Sequence, residues 1–297
     1  MNNIPTDNLS NVAGNTSRAT IVNPKSEIEN PKSPSGDLGV IVCIKQVPDT
    51  TEIKLDPVKG TLIRDGVPSI MNPDDKGGLE MALRLKDELN AHVTVITMGP
   101  PQSEAILREA MAMGADKAIL LSDRKFGGAD TWATSYTLSA ALRKLDYNLI
   151  IAGRQAIDGD TAQVGPQIAE QLDLPQVSYV ENITLQENGA LHVRKATEEG
   201  YQVLETQLPC LLTVLASANK PRYMSVTGIM ETFDREIERW GFEDIEVDET
   251  KLGLKGSPTR VAKSFTKGAK AMGQLYEVDA EEAADIIVQK LKEKFII

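Results

Sequence analysis

The chain of 297 residues has only two histidines, two cysteines and 4% aromatic residues, and each shortage removes a class of chemistry. His92 and His192 each lie in a strand-like alternation, so neither a histidine-ligated metal nor a histidine-based triad is expected. Cys43 and Cys210 sit inside the apolar runs VIVCIK and LPCLLTVL, outside any metal-ligand spacing, and read as buried core thiols. No apolar run approaches the roughly 18 residues of a membrane span. The N-terminus shows no basic stretch followed by an apolar one, so a cytoplasmic protein without membrane insertion is expected. Positive charge is short as well. The net charge of -11 argues against nucleic acid and anionic membrane surfaces. Any redox chemistry must come from a bound organic cofactor.

What is present is an ordinary soluble composition, 41% hydrophobic and 25% charged, in a chain long enough for at least one large core and for two domains. Residues 1–37, rich in Asn, Ser, Pro and Thr, are expected to form a flexible N-terminal extension. Residues 39–45 (GVIVCIK) read as a strand buried on both faces. A long connection rich in Pro and Asp/Gly turns follows. Asn72-Pro73-Asp74-Asp75 then precedes a helix-like segment over 79–89, which Asn72 or Asp74 could cap. Residues 92–97 (HVTVIT) give a second strand, followed by Met98-Gly99-Pro100-Pro101 and an amphipathic helix through Met113. A third strand, 117–121, leads to a Gly-rich loop and a helix capped by Asp130 and running to Leu145. Thr131 and Thr134 stand one turn apart at its start. Their hydroxyls suit an anion, or simply the first turn and a back-bonded carbonyl.

The fourth strand, 148–153, opens the densest stretch of the chain, IIAGRQAIDGDTAQVGPQIAEQLDLP. Ala162, Val164, Ile168, Ala169 and Leu172 have the spacing of a helix with one buried face. Thr161, Ala162, Gln163 and Val164 would form its first turn, whose free N–H groups suit a phosphate. Asp158 and Asp160 could cap it or accept from a ribose hydroxyl, while a Gly/Asp-rich capping loop also needs no ligand at all. The alternation of strands and helices predicts an α/β fold, a doubly wound, mostly parallel, Rossmann-like sheet. No G-x-G-x-x-G follows the first strand, so a dinucleotide would be held in another way. Residues 178–185, 190–195 and 200–206 read as an added antiparallel ribbon, and 210–215 as another buried strand. The α/β domain is placed at 38–222. Residues 223–297 are read as an extended C-terminal arm, ending in an amphipathic helix over 280–295, that packs on a partner.

VIVCIKQVPD, MNPDD, TMGP, MAMGAD, AGRQAIDGDTAQVGPQIAEQL and ANKPRY, in that order, together resemble the β subunit of an electron-transfer flavoprotein. The resemblance runs from about Leu38 to the C-terminus. It implies an adenine-nucleotide-binding domain paired with a larger α subunit that holds one FAD. KQVPDT, FGGADTWATS and GDTAQVGP resemble the electron-bifurcating group, in which the β subunit binds a second FAD that exchanges hydride with NAD(H). Electrons would then pass to ferredoxin and to the α-subunit FAD, serving a flavin-dependent acyl-CoA or lactate-type dehydrogenase. The alternatives are a conventional β subunit with a structural AMP and an assembly subunit with an empty pocket. By motif, Cys43, Asn72 and Met98 would line the adenine side, and Gly153, Ala156, Asp158, Thr161, Ala162, Gln163 and Val164 the ribose and pyrophosphate. Thr131 and Thr134 would reach the flavin end or its phosphates. ANKPRY resembles the loop that docks on the dehydrogenase. Asp74 departs from the pattern, since many relatives carry an aromatic residue there.

Overall fold

The computed structural model describes residues 38–49, 68–260 and 273–297, and the backbone of 19–21, 54–55 and 62–63. Contacts divide the chain into two units, Met1–Arg260 and Val261–Ile297. The first unit is built on strands β1 (Ala19–Ile21), β2 (Gly39–Cys43), β3 (Gln46–Pro48), β4 (Lys54–Leu55), β5 (Leu62–Ile63) and β6 (Ser69–Met71). Helix α1 (Pro73–Leu89), β7 (His92–Met98), α2 (Glu104–Met113), β8 (Lys117–Leu121), α3 (Thr131–Leu142), β9 (Leu149–Gly153) and α4 (Val164–Gln171) follow. Then come β10 (Gln176–Leu185), β11 (Leu191–Thr197), β12 (Gly200–Thr206), β13 (Cys210–Val214), α5 (Val226–Glu231), β14 (Glu238–Trp240) and α6 (Gly253–Gly256).

Among the described residues, ten strands form one sheet in the order β1-β12-β11-β10-β13-β9-β2-β7-β8-β14. The short pairs β3–β6 and β4–β5 lie apart from it. All five residues of β2 and of β13 are buried, which is why these strands read as continuous apolar runs. Alternate residues face opposite layers. Val40, Val42, Val93, Val95 and Ile151 pack with α1 and α2, while Ile41, Cys43, Ile96, Ile150 and Leu211 pack with α3 and α4. The doubly wound sheet and its antiparallel ribbon β10–β11–β12 are as the sequence predicts.

Three expectations shift. Helix α1 begins at Pro73, six residues before the expected start. Proline suits a first helical position, and Gly77-Gly78 does not break the helix but lets it sit close to its neighbours. A Cβ on Gly78 would lie 2.9 Å from Ile151, and one on Gly77 3.1 Å from the Leu215 carbonyl. Helix α3 ends at Leu142 rather than Leu145. The first compact unit runs through Arg260 rather than ending at 222. Its last stretch is poor in apolar residues, yet α5 packs on α2, β14 adds a parallel strand to β8, and Ile237, Ile245 and Leu252 are buried. Within the expected N-terminal extension, Ala19–Ile21 pairs parallel to β12; the rest lies outside the described residues.

The second unit holds helix α7 (Ala280–Glu293). Asp279 caps it by accepting from the Glu281 and Glu282 amides, and Glu281 and Glu282 in the first turn with Lys290 and Lys292 in the last suit its dipole.

Candidate functional site

The chain runs outward from β2 through β7 to β8, then returns to β9 on the other side of β2. The gap beyond the carboxyl ends of β2 and β9 is therefore the topological switch point, where open parallel sheets bind ligands. Cys43 and Gly153 stand at those ends, and Met98 ends the neighbouring strand β7.

The motif Asn72-Pro73-Asp74-Asp75 closes the back of this crevice. Asn72 occupies the N-cap position of α1 but makes no side-chain cap bond. Fully buried, it instead grips the loop after β9, its Nδ2 donating to the Gln155 carbonyl at 2.8 Å and its Oδ1 accepting from the Ile157 amide at 3.1 Å. Asp75 joins the two strand ends, accepting from the Lys45 amide at 2.7 Å and the Gly153 amide at 3.0 Å. Asp74 accepts from the Ala216 amide at 2.8 Å, beyond β13, and from the Gln155 amide and Arg154 Nε, each at 3.3 Å. Arg154 is thus the partner of a largely buried carboxylate, and its guanidinium lies 6.0 Å from the Tyr179 ring centroid. Burial pushes the Asp75 carboxyl up to about 7, against the pull of hydrogen bonds from Asn72, Lys45 and Gly153. Burial, and then the charge of Asp75, pushes the Cys43 thiol up to about 12, and burial does the same to Cys210. Both cysteines are neutral core thiols.

Residues 154–163 form the front. Lys45 Nζ reaches across to both oxygens of Asp158, at 2.7 and 2.9 Å. The Asp160 amide donates to the Ala156 carbonyl at 2.8 Å, and Gln155 Nε2 donates to the Asp160 carboxylate. Asp160 and Ala162 both take φ near +53°, a left-handed conformation. These two residues prevent Thr161, Ala162 and Gln163 from forming a first helical turn. Helix α4 starts only at Val164, with Gln163 as N-cap and no side-chain cap bond, and Pro166 fits its first turn. Neither Asp158 nor Asp160 caps it.

Helix α3 meets this loop with its own start. Asp130 is its cap, as expected, accepting from the Ala133 amide at 3.0 Å. Thr131 Oγ1 donates to Gln163 Oε1 at 3.0 Å, bringing the two helix starts together. Thr134 follows one turn later, half-buried. The structure thus gathers Cys43, Met98 and Gly153 at the strand ends, Ala156, Asp158, Thr161, Ala162, Gln163 and Val164 in the loop, and Thr131 and Thr134 on α3. Asn72 is behind them, with both amide atoms committed to the loop backbone. Sequence reasoning missed Lys45, Gln155 and Asp75. The paired acids of NPDD were the available signal, since two adjacent carboxylates exceed what one helix cap needs.

An open, doubly wound sheet with its loops gathered at the switch point defines the class of α/β proteins that build a ligand crevice at the carboxyl ends of their strands. Residues 59–245 match the family described as Electron transfer flavoprotein domain. The electron transfer flavoprotein subunit beta of Clostridium acetobutylicum is 58% identical over 260 residues, covering 88% of this chain and 100% of that one. The caffeyl-CoA reductase-Etf complex subunit CarD of Acetobacterium woodii is 55% identical, covering 87% of this chain and 99% of its own length. The acryloyl-CoA reductase electron transfer subunit gamma of Anaerotignum propionicum is 46% identical, with 87% and 99% covered. The chain belongs to the electron transfer flavoprotein family and is a β subunit of it. Among the described residues no helix is long and apolar enough to cross a membrane.

Proposed function

We propose that the chain is the β subunit of an electron-bifurcating, cytoplasmic electron-transfer flavoprotein that holds FAD in the switch-point crevice. The observation that carries the reading is the uncapped start of α4 beside a loop of small residues, facing the hydroxyl of Thr131. The donor set suits a pyrophosphate. Backbone N–H groups at the start of α4, the Gln163 amide group, and the Thr131 and Thr134 hydroxyls at the start of α3 would serve as neutral donors, the Thr131 hydroxyl once it leaves Gln163, and Gly159 has open space around it. The FAD would accept hydride from NAD(H) and release electrons to ferredoxin and to the α-subunit FAD. The chain's own part is to bind and orient: Asn72 and Asp75 fix the loop and strand ends, and Lys45 holds Asp158 across the front. Asp74 and Arg154 fix where the loop begins.

The partners follow from the relatives and the surface. Two of the relatives are named for complexes that reduce acyl-CoA substrates, which favours an acyl-CoA dehydrogenase over a lactate-type partner. Residues 219–233 are the proposed docking segment, because Tyr223, Val226, Met230 and Phe233 are 90, 77, 66 and 78% exposed, apolar side chains that no element covers among the described residues. Residues 273–297, where Leu275, Ile287 and Phe295 are exposed, are the proposed contact with the α subunit.

The test is the nucleotide content of the purified αβ heterodimer, with an NADH titration followed by absorbance. Two FAD per heterodimer, both reducible through NADH, are expected. One FAD and one AMP would overturn the reading and leave a conventional electron carrier.

A further inference from the structure

Helix α1 holds two separate stretches of chain. Its first turn grips the crevice loop, as described above. Its next turns grip residues 215–222, the stretch leading to the exposed apolar segment. The Gly77 carbonyl accepts from Asn219 Nδ2 at 3.3 Å, and Arg84 Nη1 donates to Asn219 Oδ1 at 2.9 Å. Glu80, 6% exposed, accepts from the Arg222 amide at 2.9 Å and from its guanidinium at 3.0 Å; Arg222 also reaches Asp87 at 2.7 Å. Among the described residues, Asp74 alone is hydrogen-bonded to both stretches. Its Oδ1 takes the Ala216 amide, and its Oδ2 takes the Gln155 amide and Arg154 Nε.

We infer that Asp74 is a positioning residue that couples the crevice loop to the docking segment, so that a nucleotide in the crevice orders both. A carboxylate is a rigid planar fork. If Oδ2 follows Gln155 as the loop moves, Oδ1 must swing relative to the Ala216 amide and weaken that bond. The side chain is 10% exposed, so water cannot readily replace a lost partner. Pinning the loop therefore pins Ala216, and by linkage a partner that orders 216–222 tightens nucleotide binding by the same factor. The inference rests on the reading that the crevice holds an adenine nucleotide.

Amide hydrogen exchange of the αβ heterodimer, stripped of nucleotide and refilled with FAD or AMP, tests it. In the native complex either nucleotide should slow exchange several-fold at Ile157 and also at Ala216 and Arg222. Asp74→Asn keeps one oxygen and can serve only one stretch; protection at Ile157 should persist through Asn72 while the response at 216–222 disappears. Ala216→Pro is a second route. Ala216 is the first residue of a 3-10 turn, where proline is tolerated, and Leu215 before it is already extended. It removes the donor, and the response at Arg222 should vanish. The control Glu80→Gln loosens Arg222 but should leave the response at Ala216. Indifference of Ala216 to nucleotide in the native complex, whether or not the variants assemble, overturns the coupling, as does an unchanged response in Asp74→Asn. Absence of protection anywhere in 153–163 instead sinks the nucleotide reading itself.

Discussion

Helices α3 and α4 begin beside the same crevice, and their starts are finished differently. The start of α3 is closed by protein: Asp130 accepts from the Ala133 amide, and its other oxygen takes the Thr259 amide at 2.9 Å and hydroxyl at 2.8 Å. The start of α4 is left open, with no side-chain cap and two left-handed residues just before it. A helix start always leaves N–H groups that need acceptors. Where the chain supplies the acceptor, the end is structural. Where it withholds one and arranges small residues around the gap, the end is suited to a ligand anion, and the stability forgone there is available to binding.

The largest expected effect comes from disturbing what both starts are referenced to. A Cβ on Gly153 would lie 2.2 Å from Asp75 Oδ1 and 2.7 Å from the Asp75 backbone nitrogen, so nothing flexible can give way. Gly153→Ala should cost about 3 kcal/mol or more in urea unfolding, by overpacking a fixed junction. Next is Asp75→Asn. The single amide oxygen can accept from Lys45 or Gly153 but not both, leaving a buried N–H facing an NH2 group at a cost of about 1–3 kcal/mol. This variant also changes the pH dependence. The Asp75 pKa is raised on folding, from 3.8 to about 7, so the native state holds more protons between those values. The stabilising contribution of this group is fully present below about pH 4 and is lost as pH rises through about 7. The slope of stability against pH in that window should flatten in Asp75→Asn.

Asp130→Ala opens the closed start. It should cost about 1–2 kcal/mol, the worth of an N-cap with an added contact, and free the segment at Thr259 to exchange faster. The smallest change in stability is expected from closing the open start. Gln163→Asp places a carboxylate at the α4 dipole and should gain about 0.5 kcal/mol in unfolding. The same charge would occupy the anion's place, so nucleotide affinity by titration should fall about tenfold, or 1.4 kcal/mol. If Gln163→Asp stabilises the protein and leaves nucleotide affinity unchanged, the open start is not the phosphate site.

Much of this comparison was legible beforehand, and the exceptions share a cause. Asp130 announces itself as a cap because its role is local, three residues from the amide it serves. The start of α4 was placed three residues early, since apolar spacing includes Ala162 and carries no information on the sign of φ. Asn72 and Asp74 were read as caps for the same reason that Asp130 was, but their acceptors and donors are claimed by backbone 81 to 142 residues away. Local rules apply only where no distant partner competes.

By itself the sequence determined the class of fold, the order of strands and helices, the neutral core thiols and the family. Each of these depends on periodicity or on motifs along the chain, and burial of alternate residues leaves little choice once the strands are apolar on both faces. The tertiary structure alone decided that Asn72 and Asp74 are taken from helix capping by distant backbone, that Thr131 meets Gln163, and that Asp74 touches both the crevice loop and Ala216. Those pairings arise because parallel strands bring their carboxyl ends to one edge of the sheet, a juxtaposition of residues distant in the chain that no local pattern encodes.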